Sequence, residues 1–316
     1  MTSVLITGST GFVGSNLTDY LYDKGIAVSV LNRTHHSNKK INQSFTWDEF
    51  KTEDLSGINA IIHLAGKAHD VKNTSGAEAY FDINTGLTKT VFDAFLKSEV
   101  RDFIYFSSVK AVADTVEDVL YEDVEYLAAT PYGQSKEQAE KYLLNQDIGP
   151  DKRLFILRPC MIHGPGNKGN LNLLYKFVLK GIPYPLAAFS NSRSFLSVDN
   201  LMYVVEQLIT KTGVPGGIYN LADDEPLSTN EVITIIAEVS DKKTKLWNIN
   251  SSLIKVAAKI GDILHLPLNS ERLKKLTESY VVSNNKIRNT LNMPVLPVSS
   301  TTGLKRTIQS FSSDNT

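Results

Sequence analysis

Tyr132 and Lys136 close the run Tyr132-Gly133-Gln134-Ser135-Lys136, a spacing that places a phenol and an ammonium on one face of a helix. An ammonium beside a phenol favours the phenolate, which moves a group with a reference pKa near ~10 toward values useful for proton transfer at neutral pH. The pair is therefore a candidate acid/base. Chance supplies on the order of one Tyr-x-x-x-Lys in a chain this rich in both residues, and Tyr20 and Lys24 form a second one. The chemistry depends on which pair has a cofactor and a substrate brought to it.

The chain of 316 residues is long enough for one large α/β domain with a cap or for two modest domains. With 42% hydrophobic and 21% charged residues it has the balance of a folded globular protein, which excludes a disordered chain. No apolar run reaches the roughly 18 residues of a membrane span. The start Met1-Thr2-Ser3-Val4-Leu5 lacks the basic end and long apolar core of a signal peptide, so a cytoplasmic protein without membrane insertion is expected. A net charge of -1, with both signs mixed along the chain, leaves no footprint for nucleic acid or an anionic membrane and points to a small-molecule substrate. Cys160 is the single cysteine. No intramolecular disulfide or Cys-based metal cluster follows, and its apolar surroundings in 157–162 suit a small buried filler. His63 has no second ligand at helical or hairpin spacing and reads as a core or turn histidine, so no metal site is expected.

Residues 3–7 form a short β-branched run that passes directly into Gly8-Ser9-Thr10-Gly11-Phe12-Val13-Gly14, after which Val13, Leu17 and Leu21 recur at helical spacing. A glycine turn between a first strand and a helix lets backbone approach a pyrophosphate, with free N–H groups at the helix start. Gly8, Thr10, Gly11, Phe12, Val13 and Gly14 are the cofactor candidates here. A second strand, 27–31, ends at Asn32 and Arg33 instead of the acid that usually accepts ribose hydroxyls. An arginine at that place can pair with a 2'-phosphate, which favours NADP(H), with NAD(H) the alternative. Residues 60–64 read as a buried strand followed by the turn Ala65-Gly66, and Asn84 opens a helix with the apolar stripe Leu87, Val91 and Phe95, where it would pass for an N-cap. The strand 103–106 leads to Ser107 and Ser108, and a hydroxyl at the carboxyl end of a parallel strand points into the ligand crevice. Thr130-Pro131 starts the helix of Tyr132 and Lys136, with Ala139, Leu143 and Leu144 apolar and Glu137, Glu140 and Lys141 polar.

These motifs, in this order, resemble the extended short-chain dehydrogenase/reductase family. Thr7 to Gly14 matches the Thr-Gly-x-x-Gly-Phe-x-Gly of its nucleotide-sugar members, 63–65 its His-Leu-Ala turn, and 158–166 its Arg-Pro-x-x-Val-Tyr-Gly-Pro-Gly, with His163 in place of Tyr. The resemblance implies a doubly wound parallel sheet of the Rossmann type with a smaller C-terminal α/β substrate domain. Residues 1–165 plus 195–222 would bind the dinucleotide, and 166–194 plus 223–316 would form the cap, with a helix over Thr229 to Val239 and a strand near Leu246 to Ile249.

It further implies Leu64, Ala65 and Gly66 against the cofactor, Asn84 propping the active-site helix, and Pro159 and Ile162 beside the nicotinamide. Ser108 would be the catalytic hydroxyl with Ser107 in reserve, because either Ala111 or Val112 can align with the valine of Val-Tyr-Gly. Tyr132 would exchange the proton and Lys136 would tune it. Asn170 is a candidate for the substrate nucleotide. Arg193, in a match to Arg-x-Phe-x-x-Val-x-Asp, suits a diphosphate, and Arg272 stands where the family has a second diphosphate arginine. Sugar dehydratases of the family carry Asp-Glu after the hydroxyl residue. Val109 and Lys110 stand there instead, which argues against dehydration.

The implied partners are a UDP-sugar and a second copy in a homodimer. Two reactions at sugar C4 follow: reduction of a UDP-4-keto-6-deoxy-hexosamine by NAD(P)H, favoured by Arg33, or NAD-dependent 4-epimerisation of a UDP-hexose or UDP-N-acetylhexosamine. A non-catalytic dinucleotide sensor would need none of Ser108, Tyr132 and Lys136.

Overall fold

The computed structural model describes residues 2–36, 38–67, 76–167, 169–264 and 268–313. Its centre is a seven-stranded sheet. The strands β1 (Ser3–Thr7), β2 (Ala27–Asn32), β3 (Gln43–Thr46), β4 (Ala60–His63) and β5 (Asp102–Phe106) are joined by Arg153–Pro159 and Gly217–Leu221. Spatially the order is Gly217–Leu221, Arg153–Pro159, β5, β4, β1, β2, β3, and every pairing is parallel. The order reverses between β1 and β4, so the crevice at their carboxyl ends is the ligand position in a doubly wound sheet.

Alternate residues of each strand feed opposite faces, as the pleat requires. Val4 and Ile6 of β1 join Leu17, Leu21, Leu201, Val205 and Leu208 on one side. Leu5 joins Phe92, Phe95, Phe103, Ala139 and Leu143 on the other. The covering helices are Phe12–Asp23 and Val198–Thr210 on the first face, Leu87–Leu96 and Pro131–Leu144 on the second. A separate core in the C-terminal region packs Leu171 and Tyr175 with Val232, Ile236, Leu304 and Ile308, whereas Val282, Ile287, Leu291 and Leu296 return to the first sheet face.

The helix expected over Thr229–Val239 is present, closed by a capping box between Ser228 and Glu231. The strand expected near 246–249 is not. Two isolated bridges replace it, Tyr184 with Leu246 in parallel sense and Leu186 with Asn248 in antiparallel sense, and bridges of opposite sense cannot propagate one ladder. Among the described residues no helix is long and apolar enough to cross a membrane, and no group of three or more His, Cys, Asp or Glu could hold a metal ion.

Candidate active site

Gly8 follows β1 at φ +73°, and a Cβ there would lie 2.8 Å from the Ala65 amide nitrogen; one on Gly14 would lie 2.3 Å from the Gly8 carbonyl oxygen. The turn is drawn tightly against the end of β4 and against its own helix, and only glycine permits both approaches. Asn32 secures it from β2: its Oδ1 accepts from the Ser9 amide at 3.1 Å and its Nδ2 donates to Ser9 Oγ at 2.9 Å. The neighbouring turn is fixed by Thr7, whose Oγ1 accepts from the Ala65 amide at 3.0 Å and donates to His63 Nδ1 at 2.8 Å. His63 Nε2 then donates to Thr88 Oγ1 at 3.0 Å, because that hydroxyl itself donates to the Asn84 carbonyl at 2.6 Å. Burial, with Lys136 adding to it, pushes the His63 pKa down to about 3. A neutral, fully partnered ring is a core histidine and no ligand.

The helix Pro131–Leu144 is started by Thr130, whose Oγ1 accepts from the Gly133 amide at 3.2 Å. Asp114 holds the approach, accepting from the Ala129 and Thr130 amides at 2.7 and 3.3 Å. Gly133 explains how near this helix comes to the turn after β5: a Cβ on it would sit 2.3 Å from the Lys110 carbonyl oxygen. That approach brings Tyr132 into a hydrogen bond with Ser108.

Burial raises the Tyr132 pKa, the bond to Ser108 opposes the rise, and Tyr80, edge-on with ring centroids 6.3 Å apart, adds to it. This corrects the expectation that Lys136 shifts the phenol. The Lys136 ammonium is engaged elsewhere, donating to the Phe106 carbonyl at 2.8 Å and lying 4.9 Å from the centre of the Tyr105 ring. Burial lowers Lys136 itself to about 8, against a pull from Glu140 that raises it. The unfolded chain therefore holds more protons than the folded one between about 8 and the ordinary 10.5. The Lys136 part of the stability rises with pH across that window. If the ammonium is the working form, kcat/KM of the free enzyme should fall above a basic pKa near 8; a profile flat to pH 10 would contradict it.

Asn84 does not start a helix. It lies inside a continuous helical stretch from Glu78 to Leu96, within a π turn over Phe81–Gly86, and is fully buried. Its Oδ1 accepts from the Lys67 amide at 2.7 Å and its Nδ2 donates to Ser135 Oγ at 2.9 Å, tying the turn after β4 to the helix of Tyr132. Glu140 is likewise not on a polar face. It is buried and accepts from Arg158 through Nη2 at 2.6 Å and through Nε at 3.1 Å, from Tyr126 at 2.7 Å and from the Ser107 hydroxyl. Ser107 thus spends its hydroxyl on Glu140, while Ser108 bonds Tyr132.

These residues surround a cleft of about 340 Å³ at the switch point of the sheet, within the size range of small-molecule sites. Gly8, Gly11, Phe12, Val13, Gly14, Leu64, Gly66, Ser107, Ser108, Tyr132, Lys136, Pro159 and Ile162 line it, as do Lys67, Phe106 and Cys160, which were not among the expected site residues. Cys160 is a buried thiol whose pKa burial drives up, consistent with a filler that also forms wall. Thr10 is exposed at the tip of the turn. Arg33 is exposed at the end of β2 and forms no hydrogen bond or ion pair among the described residues.

The substrate candidates lie outside this cleft wall. Asn170 is exposed at the first turn of Asn170–Leu179, and Arg272 is exposed on Ser270–Thr277. Arg193 is half-buried and donates to the carbonyls of Glu278, at 3.1 Å, and Lys275, at the end of the Arg272 helix. Burial lowers its pKa, with Glu278 opposing. The other Tyr-x-x-x-Lys pair has a different fate: Tyr20 donates to Glu206, and Lys24 pairs with the same carboxylate at 3.4 Å.

Residues 4–222 match the NAD dependent epimerase/dehydratase family. Over 98% of its length the chain is 28% identical to a UDP-glucose 4-epimerase of Vibrio cholerae, covering 95% of that protein. It is 26% identical to the N-acetyl-alpha-D-glucosaminyl-diphospho-ditrans,octacis-undecaprenol 4-epimerase of Escherichia coli O157:H7, with 97% and 94% covered. Among solved structures, a UDP-glucuronic acid 4-epimerase from Bacillus cereus in complex with NAD superposes with a TM-score of 0.75 at 18% identity, covering 100% of both chains. A tightly drawn glycine turn, a Ser-Tyr-Lys cluster and this match define an enzyme of the extended short-chain dehydrogenase/reductase class. The chain belongs to the NAD dependent epimerase/dehydratase family.

Proposed function

We propose that this enzyme is an NAD-dependent 4-epimerase of a nucleoside-diphosphate sugar, with a UDP-hexose or UDP-N-acetylhexosamine as substrate. The observation that carries the reading is the end-to-end match to a UDP-glucose 4-epimerase. A reductase of 4-keto sugars, which Arg33 favours from sequence, has less behind it.

The cleft suits a dinucleotide on its own geometry. A Cβ on Gly8 or Gly14 would collide with backbone and force the turn apart, and Gly11, at the N-cap of Phe12–Asp23, leaves the first amides of that helix without a side-chain acceptor. Gly8, Thr10, Gly11, Phe12, Val13 and Gly14 would hold the pyrophosphate, Asn32 and Arg33 the adenosine end, and Leu64, Ala65, Gly66, Asn84, Lys136, Pro159 and Ile162 the nicotinamide end. When bound, the cofactor supplies hydride acceptance and return. Asn170, Arg193 and Arg272, in the cap formed by 166–194 and 223–316, would meet the nucleotide and its diphosphate.

The protein's part is proton handling and position. Tyr132, half-buried in the cleft wall with its pKa raised, rests as the phenol, the form that donates to a ketone oxygen at C4. Ser108, hydrogen-bonded to it, orients the same sugar oxygen and stabilises the phenolate that must take the proton in the opposite leg. Lys136 keeps a positive charge beneath the site through Phe106 and Glu140. Val109 and Lys110 stand where the family's dehydratases carry their Asp-Glu pair, and the Lys110 ammonium is held by the Asp114 carbonyl at 2.8 Å.

One observation favours the second reading, an NADP(H)-dependent 4-keto-sugar reductase: exposed Arg33 has no partner among the described residues, while Asn32 is committed to Ser9. Denaturing the purified enzyme and assaying the supernatant separates the two. Stoichiometric NAD is expected. A protein free of nicotinamide that oxidises NADPH only with a 4-keto sugar would install the reductase instead.

A further inference from the structure

The helix Ser251–Leu264 buries Ile254, Ala258 and Gly261 and turns its other large apolar side chains outward. Leu253, Val256, Ile260, Ile263 and Leu264 are 66, 56, 48, 76 and 61% exposed. Their recurrence at three and four residues makes one stripe along the helix. Trp247, just ahead of the helix, and Leu276, on the helix packed beside it, add exposed apolar surface. A contiguous patch of this kind marks an interaction site.

Its charge identifies the partner. Lys255 and Lys259 are exposed on the same helix, Lys274 is exposed on the neighbouring one, and none of the three ammonium groups has a hydrogen bond or ion pair among the described residues. Asp262, the acid of this helix, is occupied by Ser270, accepting from its amide at 2.9 Å and its hydroxyl at 2.5 Å. Residues 241–278 contain eight Lys and Arg against four Asp and Glu, a local charge of +4 in a chain of net charge -1. The whole-chain sum conceals this concentration. A twofold contact with a second copy would bring two copies of the same cationic face together, and Asp262, the one acid on the helix, is already held by Ser270.

We propose that this face of the cap docks on an anionic lipid bilayer. The stripe lies in the headgroup layer, and the lysines reach lipid phosphates along its edge. A helix of 14 residues lies on a membrane and does not span it.

The test uses the purified full chain and vesicles of phosphatidylcholine alone or mixed with phosphatidylglycerol. Cosedimentation with the mixed vesicles, and little with the neutral ones, is expected. Lys255→Glu/Lys259→Glu should weaken it at least roughly tenfold. Leu253→Ser/Ile260→Ser/Ile263→Ser should weaken it as much, both with unchanged urea midpoints because the side chains are exposed. Equal binding to both vesicle types, no binding, or variants that bind like the parent would overturn the proposal. So would lipid-free self-association in light scattering that the serine variant abolishes, which assigns the stripe to a second copy.

Discussion

Replacing Tyr132 with phenylalanine is expected to lower turnover by roughly a hundred- to ten-thousand-fold, the usual range for losing a positioned acid/base, with cofactor affinity barely changed. The substitution removes one oxygen. The ring contact with Tyr80 survives, and Ser108 Oγ still accepts from the Lys110 amide at 3.2 Å, so the local fold has no reason to move. What disappears is the proton carrier and the partner of the Ser108 hydroxyl. A KM and cofactor affinity close to the parent with a collapsed kcat would locate the loss in the chemical step. Full activity would remove Tyr132 from the mechanism.

A large stability effect is expected at Glu140. Arg158 is 1% exposed and Glu140 fully buried. Glu140→Leu leaves the guanidinium inside the protein with a carbonyl, that of Glu122 at 3.1 Å, and the Tyr126 hydroxyl at 3.0 Å as its remaining partners. Losing one member of a buried pair costs about 3–5 kcal/mol. Replacing both members with apolar residues of similar volume removes the uncompensated charge, so Glu140→Leu/Arg158→Met should recover most of that loss in urea unfolding. A double variant no more stable than the single would show that the buried charge is not the cause.

The same carboxylate shows what could be read before the fold was known. Tyr132, Lys136 and Glu140 recur at four-residue spacing, so the argument that put the first two on one helix face also places the third there. Its charge made it look like surface, and only the position of Arg158, in a strand flanked by apolar residues, hinted at a buried partner.

Periodicity and glycine placement were enough for four of the sheet's strands, the glycine turn and the helix of Tyr132, because these depend on local spacing; the doubly wound order came from the family resemblance. Ser108 could not be separated from Ser107 by spacing alone. Both line the cleft, and they differ in partner: Ser107 donates to Glu140, whereas Ser108 bonds Tyr132. The Tyr132 electrostatics were misjudged because a spacing of four says which residues share a face but not where a long side chain sends its charge. For Lys136 that is the Phe106 carbonyl. The cap was the least legible region: the 246–249 segment has strand-like composition but no neighbouring strand to pair with. Arg193 shows the same limit, since its carbonyl partners at Lys275 and Glu278 lie more than eighty residues away in sequence.

Incubation of the purified enzyme with UDP-glucose, UDP-N-acetylglucosamine and UDP-glucuronic acid in deuterated water, without added cofactor and followed by proton NMR, tests the central claim most directly. The account predicts that at least one of them yields its C4 epimer with protium retained at C4, because the hydrogen leaves and returns without meeting solvent. No C4 epimer from any of them, or an epimer carrying deuterium at C4, would contradict it.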